Sequence, residues 1–367
     1  MKPPAPVLAV ALVCCLASPA CVMPPKRIPS SLLGAQPIGE NVIPGNANTD
    51  MIVWTQPPFS TPPSSQNITS AYSSQRCGGV LGTLIQEYRD VKGKDMQMLH
   101  GTAVASQFSG TDFWGTHRYR DWNVVLVPET ADEPFLSTAN SLFQGGWEDD
   151  GLIAHDVVEK NPDLDKLIEF EWDTGFFAPE LAPAGGDEAV TVGRWILDCG
   201  HESVSKTTPP VTLGFRAEVH APEILLSSHV VQSDPNQIQA RFKFFAGSRS
   251  GPLDTITAIF LVAKFFASHK NPLAGLDYAA NLRPPGDGWK IASCTVTEGA
   301  RSGGRPKRIQ SEVKSEDGGK SLTLTLPAKE VKSSRIESSK IIDVTWVRQD
   351  SSSRGGITQC AASSGKH

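Results

Sequence analysis

The chain has 367 residues, 39% of them hydrophobic, and a formal net charge of −5 at pH 7. This charge is small and mildly acidic, so nucleic acid is not expected as a partner. The 32 glycines and 28 prolines favour many short strands joined by turns over long helices. We therefore predict a mostly β protein, with an N-terminal β-rich domain followed by a C-terminal β-sandwich-like domain.

Residues 1–20 have the pattern of a signal peptide. Lys2 gives a positive start, the apolar run VLAVALVCCLA follows, and Ser18-Pro19-Ala20 offers small residues for cleavage. The run is too short to span a bilayer as a helix, so no transmembrane segment is expected. We expect an exported protein that is secreted, periplasmic, or held at the cell surface by a lipid on Cys21. Ser18 stands where the usual lipoprotein motif has Leu, and this does not favour the lipid.

Composition divides the rest of the chain into four segments. Residues 21–75 are rich in Pro and Ser, which resist regular structure, so this segment is expected to be extended. A β-rich domain with the candidate site is predicted for residues 76–235. Five short apolar runs separated by turns predict a sandwich-like domain over residues 236–350. Residues 351–367 are expected to form a mobile tail.

Four cysteines remain after the signal peptide and Cys21 are set aside, namely Cys77, Cys199, Cys294 and Cys360. An even number of cysteines in an exported chain predicts disulfides. The first choice of pairing is Cys294–Cys360 and Cys77–Cys199. A histidine two residues after Cys199 leaves a nucleophilic thiolate and a metal ligand as alternatives at that position.

Residues 193–222, GRWILDCGHESVSKTTPPVTLGFRAEVHAP, hold the densest group of metal-capable side chains. Glu218 and His220 alternate on a predicted strand and share one face with Arg216. Carboxylate and imidazole together suit zinc, iron or manganese. With His201 from the preceding turn as the third ligand, the sequence predicts one divalent metal, with zinc as the first choice.

The neighbouring residues suggest how such a metal would be used. Asp198 or Glu202 would orient the His201 ring, Arg216 is a further candidate catalytic residue, and an open coordination position would hold an activated water. The alternatives are an Arg216–Glu218 ion pair on the surface and metal-free acid–base catalysis. In a simple hairpin, His201 would lie about four residues, or roughly 13 Å, from Glu218.

Other polar residues are weaker candidates. The stretch THRYRDWN places His117 and Asp121 on one strand face, where they could complete a metal shell or position a base. A polar strand face or edge is the alternative. His100 stands alone in the sequence and reads as a surface histidine.

The stretch LIEFEWD alternates acidic and apolar residues. Glu169, Glu171 and Asp173 share one predicted strand face, which suggests calcium or a glycosidase carboxylate pair. A solvated face on a half-buried antiparallel strand is the favoured interpretation. Trp172 and Trp195 alternate within predicted strands and are expected to lie in the core.

Function stays open between two classes of protein. The first is an exported metal-dependent hydrolase acting on a small-molecule, carbohydrate or peptide substrate. The second is a non-catalytic secreted or surface-anchored protein that binds a carbohydrate or a protein. The sequence contains no G-x-S-x-G elbow, P-loop, dinucleotide-binding glycine pattern or H-E-x-x-H motif, so no standard motif decides between them.

Overall fold

The computed structural model describes the chain in separate stretches. These are residues 51–56, 86–87, 96–108, 122–136, 166–172, 179–204, 209, 212–247, 273, 277–299, 307–329, 336–349, 357 and 359–363. All of them lie in one compact unit, Gly34–His367. The predicted signal peptide, Cys21, Cys77, His117 and Asp121 lie outside the described residues.

Strand makes up 71% of the described residues and helix 3%, which confirms the predicted mostly β fold. Helical structure in these stretches is limited to short 3-10 turns at Glu133–Phe135 and Pro179–Leu181. The strands, in chain order, are β1 (Ile52–Gln56), β2 (Gln86–Glu87), β3 (Met96–Phe108), β4 (Trp122–Pro128), β5 (Ile168–Trp172), β6 (Glu188–Val204), β7 (Thr212–Ser233), β8 (Gln237–Gly247), β9 (Asp277–Leu282), β10 (Trp289–Glu298), β11 (Lys307–Arg308), β12 (Glu312–Glu316), β13 (Ser321–Pro327), β14 (Ile336–Arg348) and β15 (Ala361–Ala362).

Five strands close into a ring through their backbone hydrogen bonds. β7 pairs with β6 and, in parallel, with β5, while β5 pairs with β4, β4 with β3, and β3 with β6. β7 extends beyond this strand ring and pairs with β8. Sheet pairing therefore continues across residue 235, where the sequence suggested a domain boundary. The division into two domains stays a prediction.

Over residues 188–195 of β6 and 216–228 of β7, the described side chains on both faces of each strand are buried. On one face, Val192 and Ile224 pack into a core shared with the four-stranded sheet β1-β9-β13-β12. On the other face, Trp195 and Val219 join a second core with residues of β3, β4 and β5. Trp172 belongs to this second core, so the core positions predicted for it and Trp195 are confirmed. Alternation along these strands thus separates two cores rather than core from solvent.

The C-terminal segment closes one edge of the sandwich. Cys360 forms a disulfide with Cys294 of β10, which confirms that predicted pair. β15 pairs in parallel with β10. In the other sheet, the Ser315 hydroxyl of β12 donates to the Ile357 carbonyl oxygen at 2.9 Å. The segment therefore contacts both layers.

No helix within the described stretches is long and apolar enough to cross a membrane.

We expect Cys360→Ser to lower the free energy of unfolding by about 4 kcal/mol, because the bridge closes a long loop in the unfolded chain. The bridged residues are 66 positions apart. Urea unfolding followed by tryptophan fluorescence measures this loss. As a control, reducing the wild type should cause at least the same loss. A variant as stable as the oxidised wild type would contradict the expectation.

Candidate functional site

The strand that carries Glu218 and His220 is joined by β5 in parallel. The register aligns Glu169 with Glu218 and Glu171 with His220. Aligned residues of neighbouring strands lie about 4.8 Å apart along the hydrogen-bonding direction. The acidic residues of β5 therefore lie next to the predicted metal ligands Glu218 and His220.

Four polar residues at this junction are almost fully buried. Arg216, Glu218, Glu169 and Asn123 are 1%, 2%, 4% and 4% exposed. The Asn123 Nδ2 group donates to Glu169 Oε1 at 2.6 Å, and Arg216 Nη2 lies 3.9 Å from Glu169 Oε2. A buried carboxylate is costly unless it is paired and hydrogen-bonded, so the amide and the guanidinium offset the burial of Glu169.

This burial corrects two interpretations drawn from the sequence. The predicted solvated face is wrong at Glu169, because β5 is flanked by β4 and β7 and both of its faces are covered at this position. The alternative placed an Arg216–Glu218 ion pair on the surface. The surface location is wrong, because both residues are buried. Only Glu171 of the described acidic residues here is partly exposed.

Asn123 holds a buried acceptor without a donor. Its Oδ1 accepts no hydrogen bond from any part of the chain that the structure describes, although its Nδ2 group is engaged by Glu169. A buried carbonyl oxygen in this condition costs about 1–3 kcal/mol. A water, a cation or a ligand N–H bound beside it would relieve this cost.

The predicted residues Asp198, His201 and Glu202 all lie in a bulge of β6. Six residues of β6 here match only the three residues Phe215–Ala217 of β7. Bulges occur often beside active sites, where they re-aim the chain. The bulge lies opposite Arg216 of β7. Arg216 is four residues, or about 13 Å along the strand, from His220.

Among the described side chains, no three His, Cys, Asp or Glu residues are grouped closely enough to hold a metal. The side chains of His201 and His220 lie outside that set. The metal site predicted from His201, Glu218 and His220 therefore stays a prediction, as do the roles suggested for Asp198 and Glu202.

His100, read from the sequence as a surface residue, is the centre of a second polar network. Its Nε2 lies 2.8 Å from Glu188 Oε1 and its Nδ1 lies 3.2 Å from Glu129 Oε1. Its backbone N–H donates to Asp132 Oδ2 at 2.7 Å. Burial lowers the pKa of His100, but hydrogen bonds to Glu129 and Glu188 outweigh it and raise the pKa to about 9.

A second buried carboxylate holds a histidine near this network. Asp187 Oδ1 lies 2.6 Å from His229 Nδ1, and Asp187 Oδ2 accepts a hydrogen bond from the Ala184 N–H at 2.7 Å. The hydrogen bond to Asp187 raises the pKa of His229. No local sequence motif marks either histidine, because their acidic partners come from distant strands and turns.

The chain matches no family model, no curated protein and no solved structure.

We expect Arg216→Met to lower the free energy of unfolding by about 3–5 kcal/mol, because it leaves Glu169 buried without the nearby cation. The matched control is Arg241→Met, since Arg241 pairs with Asp343 at 2.7 Å and 3.2 Å on the surface. An exposed pair contributes about 1 kcal/mol or less. Urea unfolding of both variants measures the difference, and equal losses would contradict a structural role for the buried cation.

Proposed function

We propose that the chain is an exported metal-dependent hydrolase whose site lies where β5 meets β7. The observation that carries the proposal is the parallel register, which aligns Glu169 with Glu218 and Glu171 with His220. Three carboxylate residues and one histidine thereby occupy neighbouring positions on two strands. Such ligands suit zinc, manganese or iron, with zinc as the first choice.

The proposed ligands are Glu171, Glu218 and His220. Glu171 is partly exposed, so an entering cation reaches it more readily than the buried Glu169, which is engaged by an amide. Glu171 is aligned with His220. It is a nearer third ligand than His201, because the bulge that contains His201 lies opposite Arg216, about four residues or roughly 13 Å along the strand from His220.

The remaining predicted residues have roles beside the metal. The bulge that contains Asp198, His201 and Glu202 lies alongside Arg216 on the next strand, where carboxylates and imidazole are candidates for proton transfer. A bound metal would lower the pKa of a water molecule and so supply a nucleophile at neutral pH. The substrate class we propose remains a small molecule, a carbohydrate or a peptide.

Export is part of the same proposal. The signal-like N-terminus supports it, and so does the Cys294–Cys360 disulfide, because such bonds persist in oxidising compartments. A lipid on Cys21 would keep the protein at the cell surface, whereas cleavage without a lipid would leave it secreted or periplasmic.

A non-catalytic binding protein is the second candidate function. Arg216, Glu218 and Glu169 are nearly inaccessible to solvent, and a guanidinium within 4 Å of a carboxylate opposes a metal cation at that carboxylate. Buried ionic groups of this kind also serve to specify a fold. Under this candidate, an exposed surface elsewhere would recognise a carbohydrate or a protein.

Elemental analysis of protein purified without chelator and then incubated with zinc, manganese or iron salts tests the proposed site. We expect about one metal ion per chain in the wild type and most of it lost in His220→Ala and in Glu171→Gln. The same variants should lose the rise in melting temperature that added metal gives the wild type, because a metal bound only by the folded state stabilises it.

His201→Ala is the matched control and should keep the metal. A wild type that binds none of the three metals would contradict the hydrolase and favour the binding protein. Metal lost in His201→Ala but kept in Glu171→Gln would instead support His201, Glu218 and His220 as the ligands.

A further inference from the structure

The first described strand is anchored through its main chain. The N–H groups of Met51 and Ile52 donate to the two oxygens of Glu188 at 3.1 Å and 3.2 Å. β1 is the edge strand of its sheet and pairs with β9 from Ile52 to Gln56. Glu188 belongs to β6 of the other sheet, so one carboxylate attaches an N-terminal strand across the sandwich.

The Glu188 carboxylate is buried and receives several donors. Besides the two backbone N–H groups, it accepts a hydrogen bond from the Ser228 hydroxyl at 2.9 Å and lies 2.8 Å from His100 Nε2. Its side chain is 2% exposed. Docked β1 helps to exclude water from this carboxylate, which therefore depends on the protein for compensation of its charge.

Carboxylates face the His100 imidazole from two elements. Glu188 comes from β6, and Glu129 and Asp132 come from the turn after β4. From β7, Ser228 adds a neutral hydroxyl. Burial also raises the pKa of Asp132 to about 6, so the imidazole lies among three acidic side chains.

We propose that His100 is a proton-dependent latch that keeps β1 docked while its imidazole is positively charged. A neutral imidazole has a single N–H and can donate to only one of Glu188 and Glu129. When the charge is lost, a docked β1 still keeps water from Glu188, whereas a released β1 lets water hydrate it. Loss of the proton therefore favours release of the strand.

The direction of the pH dependence follows from the same groups. The pKa of His100 in the folded protein, about 9, lies above the ordinary histidine value of 6.5. The stabilisation is therefore complete below about pH 6.5 and is lost as the pH rises through about 9. This latch does not depend on the metal site proposed between β5 and β7, because it uses none of its ligands.

Rapid-mixing hydrogen exchange at the Met51 and Ile52 amides tests the latch in the full chain. In the wild type, we expect protection relative to the intrinsic exchange rate to fall between pH 6.5 and pH 9.5, by up to about a hundredfold when release of β1 returns the pKa of His100 from about 9 to 6.5. In His100→Gln, a neutral donor replaces the imidazole, so protection should not change with pH. Amides of β13 (Ser321–Pro327), on the other side of β9, are the internal control and should stay constant.

Glu129→Gln gives a second, independent test at a partly exposed position. Removing this carboxylate lowers the pKa of His100, so the loss of protection should move to lower pH. The latch is overturned if wild-type protection is constant with pH, or if His100→Gln keeps the wild-type profile. Should His100→Gln fail to fold, an unshifted profile in Glu129→Gln would overturn it.

Discussion

The long antiparallel pairing of β6 with β7 is the constraint on which the rest of the structure depends. It extends from Glu188 and Ser228 at one end to Val204 and Thr212 at the other. Because both strands belong to the strand ring and to the sandwich, each face is covered by a different core over residues 188–195 of β6 and 216–228 of β7. A polar side chain on these strands must then find its partner inside the protein.

Two buried carboxylates, Glu169 and Glu188, each lie beside a different kind of cationic side chain. At the junction of β5 and β7, a buried arginine lies beside Glu169, and a guanidinium keeps its charge at every pH that a folded protein meets. At the start of β6, Glu188 has His100 instead, and an imidazole can lose its charge near neutral or alkaline pH. The positive charge beside Glu169 is therefore present at every pH, whereas the positive charge beside Glu188 depends on the protonation of His100.

Local patterns in the sequence predicted the mostly β fold, the core positions of Trp172 and Trp195, and the Cys294–Cys360 bridge. They did not predict what covers each strand face. Alternation in LIEFEWD shows which residues share a face, but only the parallel pairing of β5 with β7 shows that Glu169 is buried. The network of His100 was missed for the same reason, since Glu188 is 88 residues away. The bulge in β6 was missed because turn-forming residues do not reveal a register shift.

Anomalous diffraction from crystals soaked in zinc or manganese tests most directly whether β5 and β7 form a metal site. We expect one anomalous peak, with ligand atoms of Glu171, Glu218 and His220 about 2.0–2.2 Å from it. No peak at this junction in soaked crystals, or a peak bonded to His201 instead, would contradict the site.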